Sequence, residues 1–196
     1  MYLEGASEDM IMCRLSRIYY PVTTLGYGER IGVWVQGCNR HCNGCMSPEM
    51  QPVTGIPIAV EDIISKIPQN ILPDGMTISG GEPFDQPKAV RKLVEWFLAH
   101  HGDDVLIYTG YRIEELMALE DTDINWILSH IAALVDGPYE QSLDDGKGLR
   151  GSSNQRIHVF HHHTRYEEFS RRTRAMQCVQ EDTRLFMIGV LPKKGG

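Results

Sequence analysis

The chain has 196 residues, a formal net charge of -7, 42% hydrophobic and 23% charged residues, close to the averages of soluble globular proteins. That balance suits one self-sufficient core with short extensions and excludes a disordered chain. The acidic excess excludes broad nucleic-acid binding, and no apolar run reaches the roughly 18 residues a membrane span needs.

The start, MYLEGASEDM, is acidic, lacks an apolar signal core and is expected to be frayed. These features predict a cytoplasmic protein with neither nucleic acid nor membrane as partner. The cluster Arg171-Arg172-Thr173-Arg174 is too small to reverse the charge argument. Residues 1–30 are expected to be an N-terminal extension or hairpin, and residues 31–196 the core with a C-terminal helix and strand.

Along the chain, Leu15 to Tyr20 alternates weakly and predicts an edge strand or hairpin arm. Ile31 to Val35 is a short β-favouring apolar run, a buried strand leading straight into Gln36-Gly37-Cys38. A loop rich in Pro and Gly follows. Val60, Ile63, Ile64 and Ile67 then mark one face of a helix, with Pro57 in its first turn and Pro68 ending it. Met76 to Ser79 predicts a second strand, stopped by Gly80-Gly81. Pro87 to His101 predicts a helix with the stripe Val90, Leu93, Val94 and Phe97, closed by Gly102. Val105 to Tyr108 is a third strand, Ile113–Leu119 and Asp123–Ser129 are short helices, and Ile131 to Val135 is a fourth strand. Arg156 to Phe160 and Leu185 to Val190 supply a fifth and a sixth.

Strands alternating with helices predict an α/β protein with parallel strands and helical crossovers. Four strands end at Cys38, Gly80, Thr109 and Asp136, and ligands of such folds bind at the carboxyl ends of strands. The chain is short for an eight-unit barrel of about 250 residues, so an open, partial barrel or an open sheet is expected.

Of five cysteines, three fall in Cys38-Asn39-Arg40-His41-Cys42-Asn43-Gly44-Cys45, a C-x3-C-x2-C spacing. An odd count with no sign of an oxidising compartment argues against a disulfide framework. Three thiolates on one loop can grip a [4Fe–4S] cube and leave one iron open. Zinc, with His41, Cys13 or Cys178 as fourth ligand, and redox thiols remain alternatives at this point.

The cysteine trio after one strand and Ser79-Gly80-Gly81-Glu82-Pro83 after the next resemble the radical S-adenosylmethionine (SAM) enzymes. Tyr108-Thr109-Gly110-Tyr111, Leu134-Val135-Asp136-Gly137-Pro138 and Arg150-Gly151-Ser152-Ser153-Asn154-Gln155-Arg156 are similar to the small activating proteins of anaerobic ribonucleotide reductase. The resemblance runs from about Ile31 to Phe160, and no motif of the family is placed in the stretch beyond it. After Cys45 the family often has an aromatic residue or His and then Asn-Pro, where this chain has Met46-Ser47-Pro48.

The resemblance implies a partial, open (βα)6-type radical SAM barrel. It implies Cys38, Cys42 and Cys45 as ligands of a [4Fe–4S] cluster, with SAM on the open iron. It implies reductive cleavage of SAM to a 5′-deoxyadenosyl radical and installation of a glycyl radical on a large partner enzyme, an anaerobic ribonucleotide reductase. Another glycyl-radical enzyme, a ribosomal peptide or a small molecule is the alternative target, and a non-catalytic zinc or iron–sulfur module the alternative class. Gly80, Gly81, Glu82, Thr109, Asp136, Arg150, Ser152 and Asn154 are the implied cofactor contacts, with Arg150 suited to a carboxylate. No second cysteine cluster is present, so an external one-electron donor such as flavodoxin or ferredoxin is expected. His158 and His161–His163 are expected to be a solvated strand end, Tyr166 to Gln180 a solvated helix, Cys13 and Cys178 incidental, and Trp34 and Trp126 core.

Overall fold

The computed structural model describes residues 10–181 and 183–191; the expected fraying of the first ten residues falls almost wholly outside them. In chain order the elements are β1 (Met12–Cys13), β2 (Leu15–Val22), β3 (Arg30–Val35), β4 (Ile58–Ala59), α1 (Val60–Ser65), β5 (Gly75–Gly80) and α2 (Pro87–His100). There follow β6 (Val105–Tyr108), α3 (Ile113–Ala118), α4 (Thr122–His130), β7 (Ala133–Asp136), β8 (Arg156–Val159), α5 (His163–Glu167), β9 (Gln177–Glu181) and β10 (Arg184–Ile188).

The central sheet has the order β2-β3-β5-β6-β7-β8. Its four inner strands are parallel, and β2 and β8 close its two edges antiparallel. The architecture is therefore mixed α/β around a mostly parallel sheet. The fifth strand expected from the sequence is present as β8 but runs antiparallel. The sixth is present as β10 but leaves the sheet and pairs with β9 in a separate ribbon.

Period-two alternation sorts the strands onto two faces. Ile31, Val33, Val35, Met76, Ile78 and Ile107 point into a core shared with the helices. The stripe of α2, with Val90, Leu93, Val94 and Phe97 all buried, packs there, each side chain contributing roughly 1.5–3 kcal/mol. The helix begins at Pro87 and ends before Gly102, as its sequence signals require. α4 starts one residue earlier than expected because the Asp121 carboxylate accepts the Asp123 and Ile124 N–H groups at 2.8 and 3.0 Å. α1 begins only at Val60, because Ile58–Ala59 pairs with β1 instead; Pro57 therefore precedes the helix.

The other face of the sheet carries Trp34, Leu106 and Val135. It is covered by the C-terminal segment through Tyr166, Phe169, Val179, Ile188 and Val190. Tyr166 to Gln180 is thus not one solvated helix. α5 stops after Glu167, a 3-10 turn follows, and the chain extends into β9. Burial of Tyr166 and Phe169 against the sheet decides this conformation. The histidine run follows β8 with His161 and His163 exposed, as expected, and His162 Nε2 lies 2.8 Å from Asp103 Oδ1.

Candidate functional site: a cysteine loop laced to a glycine turn

The C-terminal ends of the parallel strands meet at one edge. Register places Trp34 beside Ser79 and Val35 beside Gly80, so the loop that leaves β3 and the turn that leaves β5 are neighbours. They are joined backbone to backbone. Gly81 N–H donates to Val35 O and Glu82 N–H to Gly37 O, both at 2.8 Å. Gly37 N–H and Cys38 N–H donate to Met50 O and Gln51 O at 2.9 Å, closing the cysteine loop on itself. A Cβ on Gly80, whose φ is +108°, would stand 2.4 Å from Val35 O, and one on Gly81 would stand 2.0 Å from Gly37 O. Glycine is obligatory where two backbones approach this closely.

Glu82 is buried, and its carboxylate is already engaged. Oε1 accepts from Phe84 N–H at 3.0 Å and Thr109 Oγ1 at 2.8 Å; Oε2 accepts from Gly110 N–H at 2.8 Å. Burial pushes its pKa up and the three donors oppose it, leaving it raised to about 7. Glu82 therefore ties the turn after β5 to the turn after β6. Tyr111 and Asp85 grip the cysteine loop from the same side: Asn39 N–H donates to Asp85 Oδ2 at 3.1 Å, and Asn39 Nδ2 to Tyr111 OH at 3.1 Å. The Arg40 guanidinium lies 4.4 Å from the Tyr111 ring centre.

These turns border a cavity of about 410 Å³, within the usual range for cofactor sites. Cys38, Cys42, Cys45, Gly80, Gly81, Glu82 and Thr109 line it. Asp136, Arg150, Ser152 and Asn154 lie outside its lining; most of their polar atoms are engaged within the protein, while the buried Asn154 Oδ1 has no partner there. Arg150 pairs with Asp145 at 3.0 Å. Asn154 Nδ2 donates to Pro138 O at 2.8 Å, and the buried Ser152 Oγ accepts from Glu140 N–H at 3.1 Å. Gln155, in the same run, does reach the cavity. Its Oε1 accepts from Gly151 N–H and its Nε2 donates to Gly137 O, at 2.7 and 2.8 Å.

Asp136 is fully enclosed. Arg156 donates to both its oxygens, Ile113 N–H donates at 2.8 Å, and His158 Nε2 lies 3.0 Å away. Burial alone would push this carboxyl up; the Arg156 and Ile113 hydrogen bonds and His158 outweigh it and hold the pKa below its ordinary 3.8. A carboxyl depressed in the fold contributes stability above its unfolded pKa and loses it as pH falls through the folded value. The urea midpoint of the wild type should drop as pH is lowered below about 4. Asp136→Asn should be less stable at pH 7 and flatter across that window. Parallel profiles for the two proteins would contradict this.

The donor set fits an iron–sulfur cluster. Arg40 N–H and Ser47 N–H donate to Cys38 Sγ and Cys45 Sγ, both at 3.4 Å, the kind of N–H···S contact that tunes cluster thiolates. Burial pushes the Cys38 thiol up, with the Arg40 N–H opposing. Among the described residues no three His, Cys, Asp or Glu side chains are placed to hold one metal ion; the three cysteines line the cavity. His41 is exposed, with φ +46°, and does not line the cavity. Cys13 is buried in the core, its thiol pushed up to about 11 by burial, and Cys178 is exposed; neither thiol lines the cavity.

Residues 24–158 match the family model of the 4Fe-4S single cluster domain, the class of protein that the fold and the thiol trio define. The anaerobic ribonucleoside-triphosphate reductase-activating protein of Escherichia coli (strain K12) is 36% identical over 150 residues, which cover 71% of this chain and 95% of that one. The protein of the same description from Enterobacteria phage T4 is 29% identical over 148 residues, covering 72% and 90%. The isethionate sulfite-lyase activating enzyme of Nitratidesulfovibrio vulgaris is 28% identical over 125 residues, covering 61% and 38%. The chain belongs to the 4Fe-4S single cluster family and to the anaerobic ribonucleoside-triphosphate reductase-activating proteins. Among the described residues, no helix is long and apolar enough to cross a membrane.

Proposed function

We propose that this protein is an iron–sulfur, SAM-dependent activating enzyme that installs a glycyl radical on an anaerobic ribonucleotide reductase. The observation that carries the reading is the lacing of the cysteine loop to the Gly80-Gly81 turn around one cavity. Cys38, Cys42 and Cys45, which line the cavity, would hold a [4Fe–4S] cluster, with SAM bound beside it. When bound, cluster and SAM would supply the one-electron reductive chemistry needed to take a hydrogen from a glycine of the partner.

The chain's own residues hold, orient and shield. Gly80 and Gly81 let the turn lie directly against the cysteine loop, so that its backbone borders the cavity beside the thiols. Glu82 and Thr109 act on the ligand through the turns that they fix. Asp136, Arg150, Ser152 and Asn154 frame the loop that presents Gly137, Gly151 and Gln155. Four parallel strands carrying the site at their carboxyl ends support a partial, open (βα)6-type radical SAM barrel spanning residues 31–196, with residues 1–30 as an extension that contributes the antiparallel edge. Electrons arrive from an external donor such as flavodoxin or ferredoxin, since the remaining cysteines stand apart from the cavity. The acidic chain works in the cytoplasm with a protein partner, not with nucleic acid or membrane.

Anaerobic mixing with reductant, SAM and the candidate reductase should give a glycyl-radical electron-spin signal. No signal from a protein that does release 5′-deoxyadenosine would reject that partner and leave another glycyl-radical enzyme as the target.

A further inference from the structure

The cavity has a wall that the family match does not include. Residues 174–191 lie beyond the matched span of 24–158, yet Met176, Phe186, Ile188 and Val190 line the cavity together with Trp34 and Met50. This C-terminal strap is fastened at several points. Gln177 donates to Pro21 O at 2.8 Å and accepts from Thr23 N–H at 3.2 Å. Thr24 Oγ1 donates to Ile188 O at 3.0 Å. Arg174, whose side chain is 1% exposed, donates to Asp144 Oδ1, Leu191 O, Arg150 O and Gly151 O at 2.7–2.9 Å. Phe186 is held between the Arg17 guanidinium, 3.6 Å from its ring centre, and the edge of Tyr19. So many anchors make the strap a fixed wall rather than a loose flap.

The lining is therefore of two kinds. Around the cysteines and Gly80-Gly81 it is sulfur, carboxylate and backbone. Along the strap it is thioether, aromatic and branched aliphatic. SAM is divided in the same way, into a charged amino-acid half and a nucleoside with flat, weakly polar faces. Apolar and polarizable side chains pack such faces well.

We propose that the strap supplies the nucleoside-binding wall of the SAM site. Met176, Phe186 and Ile188 are its contact residues, and Arg174 is a positioning residue that clamps the strap to the 150–151 loop. This rests on the reading of the cavity as a SAM site and adds which part of the chain holds which half of the ligand.

The test is anaerobic calorimetry on the cluster-loaded protein, titrated with SAM and separately with methionine. Met176→Ser trims a half-buried side chain, and Phe186→Leu removes a ring while keeping much of its bulk. Arg174→Gln keeps one amide NH2 but loses the fork that reaches four acceptors. In variants with wild-type iron and sulfide content and cooperative melting, the Kd for SAM should rise about tenfold, or about 1.4 kcal/mol, while that for methionine stays within about twofold. SAM affinity unchanged in the variants, or an equal loss with methionine, would overturn the assignment of the strap. A cluster-loaded wild type that binds no SAM would instead overturn the reading of the cavity itself.

Discussion

Gly81→Ala is expected to abolish cluster loading. The added methyl carbon would stand 2.0 Å from Gly37 O, 2.6 Å from Gly37 C and 2.8 Å from Met50 O. All three neighbours are backbone atoms, so no side chain can swing aside to relieve the overlap. Gly37 directly precedes Cys38, and Met50 O receives the Gly37 N–H. Relief therefore comes only by breaking the lacing between the two turns and moving the first cluster ligand. Overpacking of this kind costs about 1–3 kcal/mol, a loss most domains survive, so the variant should fold. Iron and sulfide bound after anaerobic reconstitution should fall at least about tenfold, since ligand misplacement of about 1 Å is enough to spoil such a site. Gly55→Ala is the control. Gly55 also has a left-handed backbone, φ +82°, but open space around its would-be Cβ, so it should lose a little stability and load normally. A Gly81→Ala protein that loads like the wild type would show that the two turns need not touch.

Arg30→Ala should be the most destabilising substitution in the core. The side chain is fully buried at the start of β3, at the opposite end of the strands from the cysteines. Nε donates to Thr77 Oγ1 at 2.7 Å, and Nη2 donates to Met76 O, Asp104 O and Asp104 Oδ1 at 2.8–3.0 Å. Asp104 in turn receives Arg165 and the Tyr166 hydroxyl, so this one guanidinium ties β3, β5 and the turn before β6 to α5. Removing one partner of a buried ion pair leaves the other charge and several carbonyls without compensation, at about 3–5 kcal/mol. That is a large fraction of the roughly 5–15 kcal/mol that holds a domain together. Lysine should not rescue it, because a single ammonium cannot reproduce the fork. Urea unfolding at neutral pH measures the loss; a change below about 1 kcal/mol would place Arg30's bonds among those that water replaces freely.

The parts legible in the sequence were those with local signatures. The stripe of α2 repeats within one segment, and its ends carry Pro87 and Gly102. The cysteine spacing and the Gly80-Gly81 pair sit at strand ends that short apolar runs mark out. What escaped was set by long-range pairing. Asp136 and Arg150 read as ligand contacts because charged residues at strand ends in this class of fold so often are. The structure spends them on Arg156 and Asp145, partners that no local pattern names. The ties of Glu82 to Thr109 and Gly110 of the next crossover are of the same long-range kind. The burial of Arg30 had no signal at all, since a lone arginine after a glycine-rich turn looks solvated. The C-terminal segment was the largest miss. Its charged composition hides two buried aromatics, Tyr166 and Phe169, and alternation at Phe186 and Ile188 marks a strand without saying what it pairs with. Arg40, Gln155 and Met176 reach the cavity, and Arg174 fastens the C-terminal segment, through contacts of the same long-range kind.

The most direct measurement is the electron-spin resonance spectrum of the reconstituted, dithionite-reduced protein, recorded with and without SAM. The account predicts a reduced [4Fe–4S] signal that changes shape when SAM is added, is lost in Cys42→Ala and persists in Cys178→Ser. A cluster signal that saturating SAM leaves untouched, or one that survives the loss of Cys42, would contradict it.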